Sequence, residues 1–479
     1  MDTKPPPLLV PAALTLFASL LVVALLPISN ILHGLSWHDQ QRVGQISVIT
    51  LIALFAVSSI FVTQQFTPTE PRLRHTLAAL AFAGAASSIA ARQPVWAFTE
   101  FGIALGCLAM AWMVVVTREQ LGGALDRLVL GTAFFTCTAL CLRFFVSYAS
   151  MLATGEGKAD PWLLLDGFSN LRFYGQFISL SLPLLAAPLL MQGRLKRFAV
   201  PAAILLVLWW AIAITTGTRG TWLGMGTAVV WLMFAGAKGR QWATLNLMAA
   251  LFGLIVCRFW LEWLPDWAGL PVANHPADRL TTSLSGREPL WQQAIEMILA
   301  KPLLGFGPMH YSDIANRIAA HPHQAWLQWA SEWGVPSALV ITWLVWKGAR
   351  AVFRVMRERA ASGAETDVLR VCLAGSIAAS LTQSMVDGVL VMPYTETWLA
   401  LLAGWLFALH PGNTSTSTTV PAAWRWVWAI ALVAAAGLLV SIVARDLPRL
   451  DVREEAYAET FGGPFKPRFW RQGVIADKP

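Results

Sequence analysis

"MDTKPPPLLVPAALTLFASLLVVALLPIS" (residues 1–29) carries no charge after Lys4 and is apolar over most of its length. About 20 such residues, rising 1.5 Å each, span a bilayer as a helix. No small-residue cleavage site follows a short core, so the stretch reads as a retained first membrane helix rather than a cleaved signal. Comparable runs recur along the chain at 8–28, 44–63, 76–91, 95–116, 128–152, 173–191, 198–215, 220–236, 242–263, 323–346, 368–387, 391–409 and 423–444. In hydrocarbon every backbone N–H and C=O must be bonded internally, so runs of this length are helices. The expected fold is an all-α polytopic membrane protein with about 12–13 transmembrane helices.

Composition agrees with that reading. The 479 residues are 56% hydrophobic and 13% charged, too little charge to cover a soluble fold of this length. A net charge of +8 would admit a nucleic-acid partner, but the basic residues are dispersed in short clusters between apolar runs, as in the cytoplasmic loops of membrane proteins. Nucleic acid is therefore set aside, and the surrounding partner is membrane lipid. Cys107, Cys137, Cys141, Cys257 and Cys372 all fall inside apolar runs without Cys/His metal spacing, which makes them packing residues rather than disulfides or ligands.

With the N-terminus in the cytoplasm, the inner connections carry Arg72 and Arg74, Arg118 and Arg127, "RLKR" (194–197), "KGR" (238–240), and Lys347 to Arg359. The positive-inside bias fixes that orientation. The outer side then holds 154–171, the turn 216–219 and a long loop from Pro265 to about Ala320. The chain divides into N-terminal helices (1–165), a core (166–409) that includes the outer loop 264–322, a polar linker (410–422, with "GNTSTSTT" at 412–419), a last helix (423–444) and a tail (445–479). The tail is long enough to anchor or cap and too short for a sizeable domain. It lies outside if there are thirteen helices and inside if there are twelve. No internal repeat and no soluble catalytic module is present, so any chemistry belongs at the outer membrane face.

On that face, "AAHPHQAWLQWASEWG" (319–334) reads as a helix start, with Pro322 at the first helical position and His323 in the first turn. The positive end of the helix dipole would disfavour imidazolium there and leave His323 neutral and able to accept a proton. The spacing is equally compatible with two interfacial histidines satisfied by hydrogen bonds, and the role of His321 stays open on this pattern. A metal site is disfavoured, since the His-Pro-His stretch supplies two imidazoles with no further Cys/His/carboxylate cluster nearby.

Three outer arginines accompany the histidines. Arg219 in "ITTGTRGTWLGMG" (214–226) sits in a tight turn between two apolar segments. "SLSGREPLW" (283–291) matches a capping box, Ser285 with Glu288, opening an amphipathic helix with apolar Leu290, Trp291, Ala294, Ile295 and Ile298. It places Arg287 in a first turn, where a cation is unfavourable unless an anion binds too. Arg172 in "DGFSNLRFYGQF" (166–177) begins another span beside Asn170 and Gln176. Each arginine taken singly is also explained by snorkelling to the interface. Arg143 lies within a span, where an ionisable residue marks a functional position or a helix contact. Asp387, in "TQSMVDGVLVMPY" (382–394), stands at an outer helix end, placed to orient a base or an acceptor hydroxyl or to terminate the helix.

Together "FSNLRFYGQ", "TGTRGTWLG", "SGREPLW" with the following "PLLGFG", and "HPHQAWLQWASEWG" resemble the O-antigen ligase and polymerase superfamily over roughly residues 166–409. The first third of the chain matches only as apolar helices. The resemblance implies a GT-C-like membrane glycosyltransferase of the bacterial inner membrane. Its active site would lie on the periplasmic face, its donor would be an undecaprenyl-diphosphate-linked glycan, and it would need neither metal nor nucleotide. Carried over by position, His323 falls on the family's catalytic histidine, and Arg219 and Arg287 on arginines expected to hold the diphosphate, with Arg172 a softer match. Gln324 stands where the family often has Asn, an amide-preserving change. His321, Gln324, Arg143 and Asp387 are supporting candidates.

Three acceptors compete within the superfamily: the lipid A core oligosaccharide, the growing glycan, and a protein such as a pilin. The ligase reading is favoured, because the tail leaves no room for the extra outer domain of many protein-glycosylating relatives and because the loop helix is lipid-compatible. A lipid-linked-glycan transporter would predict inverted repeats and helices broken near the midplane. The sequence has no such repeat, and its distinctive charges cluster at the outer face.

Overall fold

The apolar runs fold as helices in a computed structural model that describes residues 9–62, 71–155, 158–279, 286–314, 316, 318–410 and 422–476. In chain order they are α1 (Leu9–Leu25), α2 (Trp37–Val62), α3 (Pro71–Ile89), α4 (Pro94–Leu121), α5 (Gly123–Thr154), α6 (Leu171–Leu185), α7 (Ala199–Thr215), α8 (Arg219–Met233) and α9 (Ala237–Arg258). After these come α10 (Glu288–Ala300), α11 (Ala325–Trp333), α12 (Val335–Glu358), α13 (Glu365–Ser384), α14 (Pro393–Ala408), α15 (Ala422–Asp446) and α16 (Leu450–Thr460). No strand forms among the described residues; one isolated bridge, Ala159 to Val272, ties two loops together. The chain is a multi-pass helical membrane protein.

Each expected span is helical over most of its described residues, yet only seven helices among the described residues are both long and apolar enough to cross a bilayer on those grounds alone. These are α2, α4, α5, α6 with its continuation to Leu190, α7, α9 and α15. The others fall short for visible reasons: α8 and α14 are only 15 and 16 residues long, and α13 carries Glu365, Asp367 and Arg370. A helix enclosed by protein need not be lipid-compatible all round. The most enclosed candidate span is the one containing α6, 94% of whose apolar window is buried.

The connections gather at two faces. On one, Arg118 of α4 donates to Asp126 of α5 and to the Ala408 carbonyl, and Arg370 of α13 donates to the Leu409 carbonyl. On the other, the loop face, the backbone N–H of His38 donates to Ser169, Arg92 pairs with Asp313, and the backbone N–H of Ile475 donates to the Ser312 carbonyl. The C-terminal tail therefore lies on the same face as the long loop.

One expected span is broken. The run 323–346 forms two helices, α11 and α12, that part at Gly334, whose φ of +84° and ψ of 155° belong to a region open essentially to glycine alone. Pro336 then starts α12 within its first turn. The loop fills the break: Phe306 and Gly307 donate to the Ser331 and Glu332 carbonyls at the end of α11, and Val335 donates to the Pro302 carbonyl. Carbonyls that a continuous helix would satisfy internally are thus satisfied by the loop.

All five cysteines are unpaired, four of them buried and Cys107 partly so. Their surroundings are packed helices, which fits the packing role read from the sequence.

Candidate active site

The histidine segment does not begin a helix as expected. Helix α11 starts at Ala325, and Gln324 is its N-cap, accepting from the Leu327 N–H at 2.5 Å. Pro322 is therefore not the first helical residue, and His323 lies ahead of the helix with φ +53°, in the left-handed region. That conformation turns its side chain out of the helix path and towards the turn between α13 and α14. The imidazoles of His321 and His323 meet edge to face with centroids 4.1 Å apart, and His321 Nε2 is 3.0 Å from His323 Nδ1.

Asp387 comes from the α13–α14 turn, with Oδ1 3.6 Å from His323 Nδ1. That exceeds an ordinary hydrogen bond, though such contacts commonly tighten once substrate is in place. The Gly388 N–H donates to Asp387 Oδ1 at 2.8 Å, and Gln383 lies between Asp387 (3.4 Å) and Ser179 (2.6 Å), so the carboxylate is held by its own turn and helix. An ionised carboxylate can only accept, so it favours the His323 tautomer with the proton on Nδ1 and leaves Nε2 with the lone pair. Gly388 is needed for another reason: a Cβ there would lie 2.4 Å from His321 Nε2.

The charges are set by burial. Burial lowers the pKa of His323 from its ordinary 6.5; Asp387 pulls it back up and Arg172 and Arg287 push it further down, with a net lowering. The neutral histidine expected from a helix dipole is reached by desolvation instead. His321 is lowered further, by burial, His323, Arg468 and Arg172. Burial raises Asp387, but His323, Arg172 and the Gly388 N–H together outweigh it and hold the carboxyl below its ordinary value.

The structure brings the three outer arginines into one neighbourhood. Arg172 is the second residue of α6, its N–H capped by the Asn170 side chain at 2.8 Å, while Gln176 is wholly buried against Thr395. Arg219 is the first residue of α8, which lies close against α13 because Gly220 faces Gln383 and Gly224 faces the Ala379 carbonyl. Arg287 occupies the N-cap of α10 rather than its first turn and makes no side-chain cap. Its expected capping partner Ser285 lies outside the described residues, as does the 412–419 linker. Burial lowers the pKa of Arg287; Asp387 opposes this, and Arg172 and Arg219 add to it. Arg287 thus lies within electrostatic reach of two further guanidinium groups and of the Asp387 carboxylate.

Helix α10 buries Leu290, Ala294 and Met297, whereas Ile295 is exposed, so the expected apolar stripe is rotated. Trp291 ties α10 to the histidines, its Nε1 donating to the Pro322 carbonyl at 3.1 Å. Arg143 is committed elsewhere: it pairs with Asp166, donates to the Ile28 carbonyl and stacks on Trp37 at 5.2 Å. Among the described residues no three His, Cys, Asp or Glu side chains come together as a metal site would require.

Sequence reasoning overlooked the residue beneath the histidine segment. Arg468, in the tail and wholly buried, bonds Glu332 at 2.7 Å and Glu100 at 3.1 Å and reaches the Ala320 carbonyl at 3.4 Å. The available signal was Glu332 itself, an acid in an apolar run that requires a cation.

No curated protein matches the chain. A family model described as O-antigen ligase matches residues 201–342, a span that contains Arg219, Arg287, His321, His323 and Gln324 but neither Arg172 nor Asp387. Over that stretch the chain is similar to the O-antigen ligase family.

Proposed function

We propose that the protein is an inverting, metal-independent glycosyltransferase that moves a glycan from an undecaprenyl-diphosphate carrier to a hydroxyl of lipid A core oligosaccharide. It would do so on the periplasmic face of the bacterial inner membrane. The observation that carries this reading is the meeting of a carboxylate-backed, neutral histidine with three arginines on the loop face. Three neighbouring cations around one carboxylate repel one another, and a bound dianion relieves that repulsion.

In the proposed reaction Arg172, Arg219 and Arg287 hold the diphosphate by charge-assisted hydrogen bonds. They stabilise the charge that grows as the bond from the anomeric carbon to the phosphate oxygen breaks. His323 Nε2 takes the acceptor hydroxyl's proton while that oxygen forms the new bond to the anomeric carbon. The electron pair of the broken bond leaves on the lipid diphosphate. Asp387 fixes the histidine tautomer and stabilises the imidazolium that forms. A single displacement inverts the anomeric centre. A lipid acceptor is favoured because α10, which Arg287 precedes, and the residues after it leave Ile295, Leu299 and Leu303 exposed, an apolar surface suited to a lipid-anchored substrate.

Reconstitution with a lipid-linked glycan and three acceptors, lipid A core, free glycan and pilin, tests the proposal. The expected product is glycosylated lipid A core with inverted anomeric configuration, absent in His323→Ala, which still binds donor. Transfer to pilin in preference to lipid A core would overturn the acceptor; full activity of His323→Ala would overturn the mechanism.

A further inference from the structure

A cavity of about 340 Å³ opens on the loop face between the start of α2, the start of α6 and the C-terminal tail. Ser36, Trp37, Asn170, Phe173, Phe465 and Arg471 are among its walls. Its size is at the small end of the range for small-molecule sites, about 300–1,000 Å³. Three aromatic rings beside hydroxyl, amide and guanidinium groups match a pyranose, which offers apolar C–H faces to rings and hydroxyls to polar groups.

The lining is fixed in place. Ser36 donates to Asp39 at 2.7 Å, and Asn170 caps α6. Arg471 Nε bonds Glu454 at 2.8 Å. Because Arg471 is already neutralised by an acid, the cavity suits an uncharged sugar better than a phosphate. Pre-organised polar groups reduce the ordering cost of binding.

Its place relative to the reacting groups is informative. On α6 the wall residues Asn170 and Phe173 flank Arg172, so the cavity adjoins the arginine neighbourhood. On the tail, the wall residue Pro467 is followed directly by Arg468, which is not itself in the wall and reaches the carbonyl of Ala320, the residue before His321. The acceptor oxygen must reach the anomeric carbon while the arginines hold the departing diphosphate, so an acceptor sugar needs a seat that borders the arginine neighbourhood without occupying it.

We propose that this cavity is the subsite for a neutral pyranose of the acceptor, with the C-terminal tail as one wall. The inference rests on the glycosyl-transfer reading and adds the acceptor's chemical class and its seat.

The test is binding in the absence of donor, using the full-length protein in lipid nanodiscs and lipid-free core oligosaccharide released from rough lipopolysaccharide by mild acid. Calorimetric affinity should fall about tenfold in Phe465→Leu and in Trp37→Leu, which remove an aromatic face while keeping apolar bulk, and should survive in Phe465→Tyr. In the wild-type protein the oligosaccharide should slow amide hydrogen exchange in residues 465–471, a readout that needs no variant. Unchanged affinity in both leucine variants, or no protection of the tail by a bound oligosaccharide, overturns the subsite. A separate turnover assay with donor distinguishes the two readings: sugar binding at the cavity with no transfer to any acceptor would sink the transferase reading and leave only a sugar-binding cavity. Transfer to lipid A core with the tail unprotected would do the reverse.

Discussion

His323 has to be uncharged at neutral pH to act as a base, and burial, opposed by Asp387, accomplishes this. The acid limb of kcat/KM should therefore lie below pH 6.5, the ordinary histidine value, and an initial-rate profile with its limb at or above 6.5 would remove His323 from that role. Stability follows the same sign. In the folded state His321 and His323 bind protons less readily than in the unfolded chain, so their stabilising contribution is complete above pH 6.5 and is lost as pH falls below it. The contribution of Asp387, whose pKa is lowered, persists until pH drops below its ordinary 3.8 and is lost through its folded value. Asp387→Asn can donate to His323 Nδ1 and so select the wrong tautomer; single-turnover rates on preloaded donor should fall about 10²–10⁴-fold with donor affinity retained. A loss under about tenfold would leave Asp387 as a helix-end residue only. At this scale the histidine and arginines could be picked out as candidates because their types and local settings suit the proposed chemistry. Arg468 was not, since its partner Glu332 is 136 residues away and no local spacing records the pairing.

Between residues and molecule, the break at Gly334 and the turn at Gly388 are the elements on which the site depends. Hydropathy reads 323–346 as one span because α11 and α12 are both apolar and collinear in sequence; the Gly-Val-Pro at 334–336 was the available sign of interruption. The sequence could not show that the loop at 302–307 supplies the hydrogen bonds that make an interruption stable. A side chain at 334 would meet the Leu303 carbonyl at 2.0 Å and sit in a backbone region closed to it. Gly334→Ala should lower stability by about 1–3 kcal/mol, measured by denaturant unfolding in detergent, and an unchanged midpoint would mean the loop and helix are not locked there. Gly388→Ala probes the other element. It should leave stability closer to wild type but push His321 from its place, lowering kcat more than it raises donor KM. A KM effect alone would assign this turn to binding instead.

Across the whole molecule, alternating basic connections are the sequence signal for two faces, because loop charge is set by topology and not by packing. The number of self-sufficient spans was less legible: helices enclosed by others, such as α13, tolerate charge that lipid would not. The position of the tail was open to two readings, and the structure resolves it through long-range ionic contacts. Arg42 pairs with Glu396 at 2.9 Å and donates to the carbonyls of Phe469 and Arg468, while Arg468 joins Glu332 and Glu100. The tail thereby fastens α2, α4 and α11 under the histidine segment. Arg468→Met would strand two acids without their cation, which costs about 3–5 kcal/mol for a buried pair. Adding Glu332→Gln and Glu100→Gln together should restore much of that loss, because the penalty lies in uncompensated charge and not in missing bulk. Unfolding midpoints of the single and triple variants decide between this lock and a passive tail. A single variant within about 1 kcal/mol of wild type, or a triple variant no better than the single, would rule the lock out.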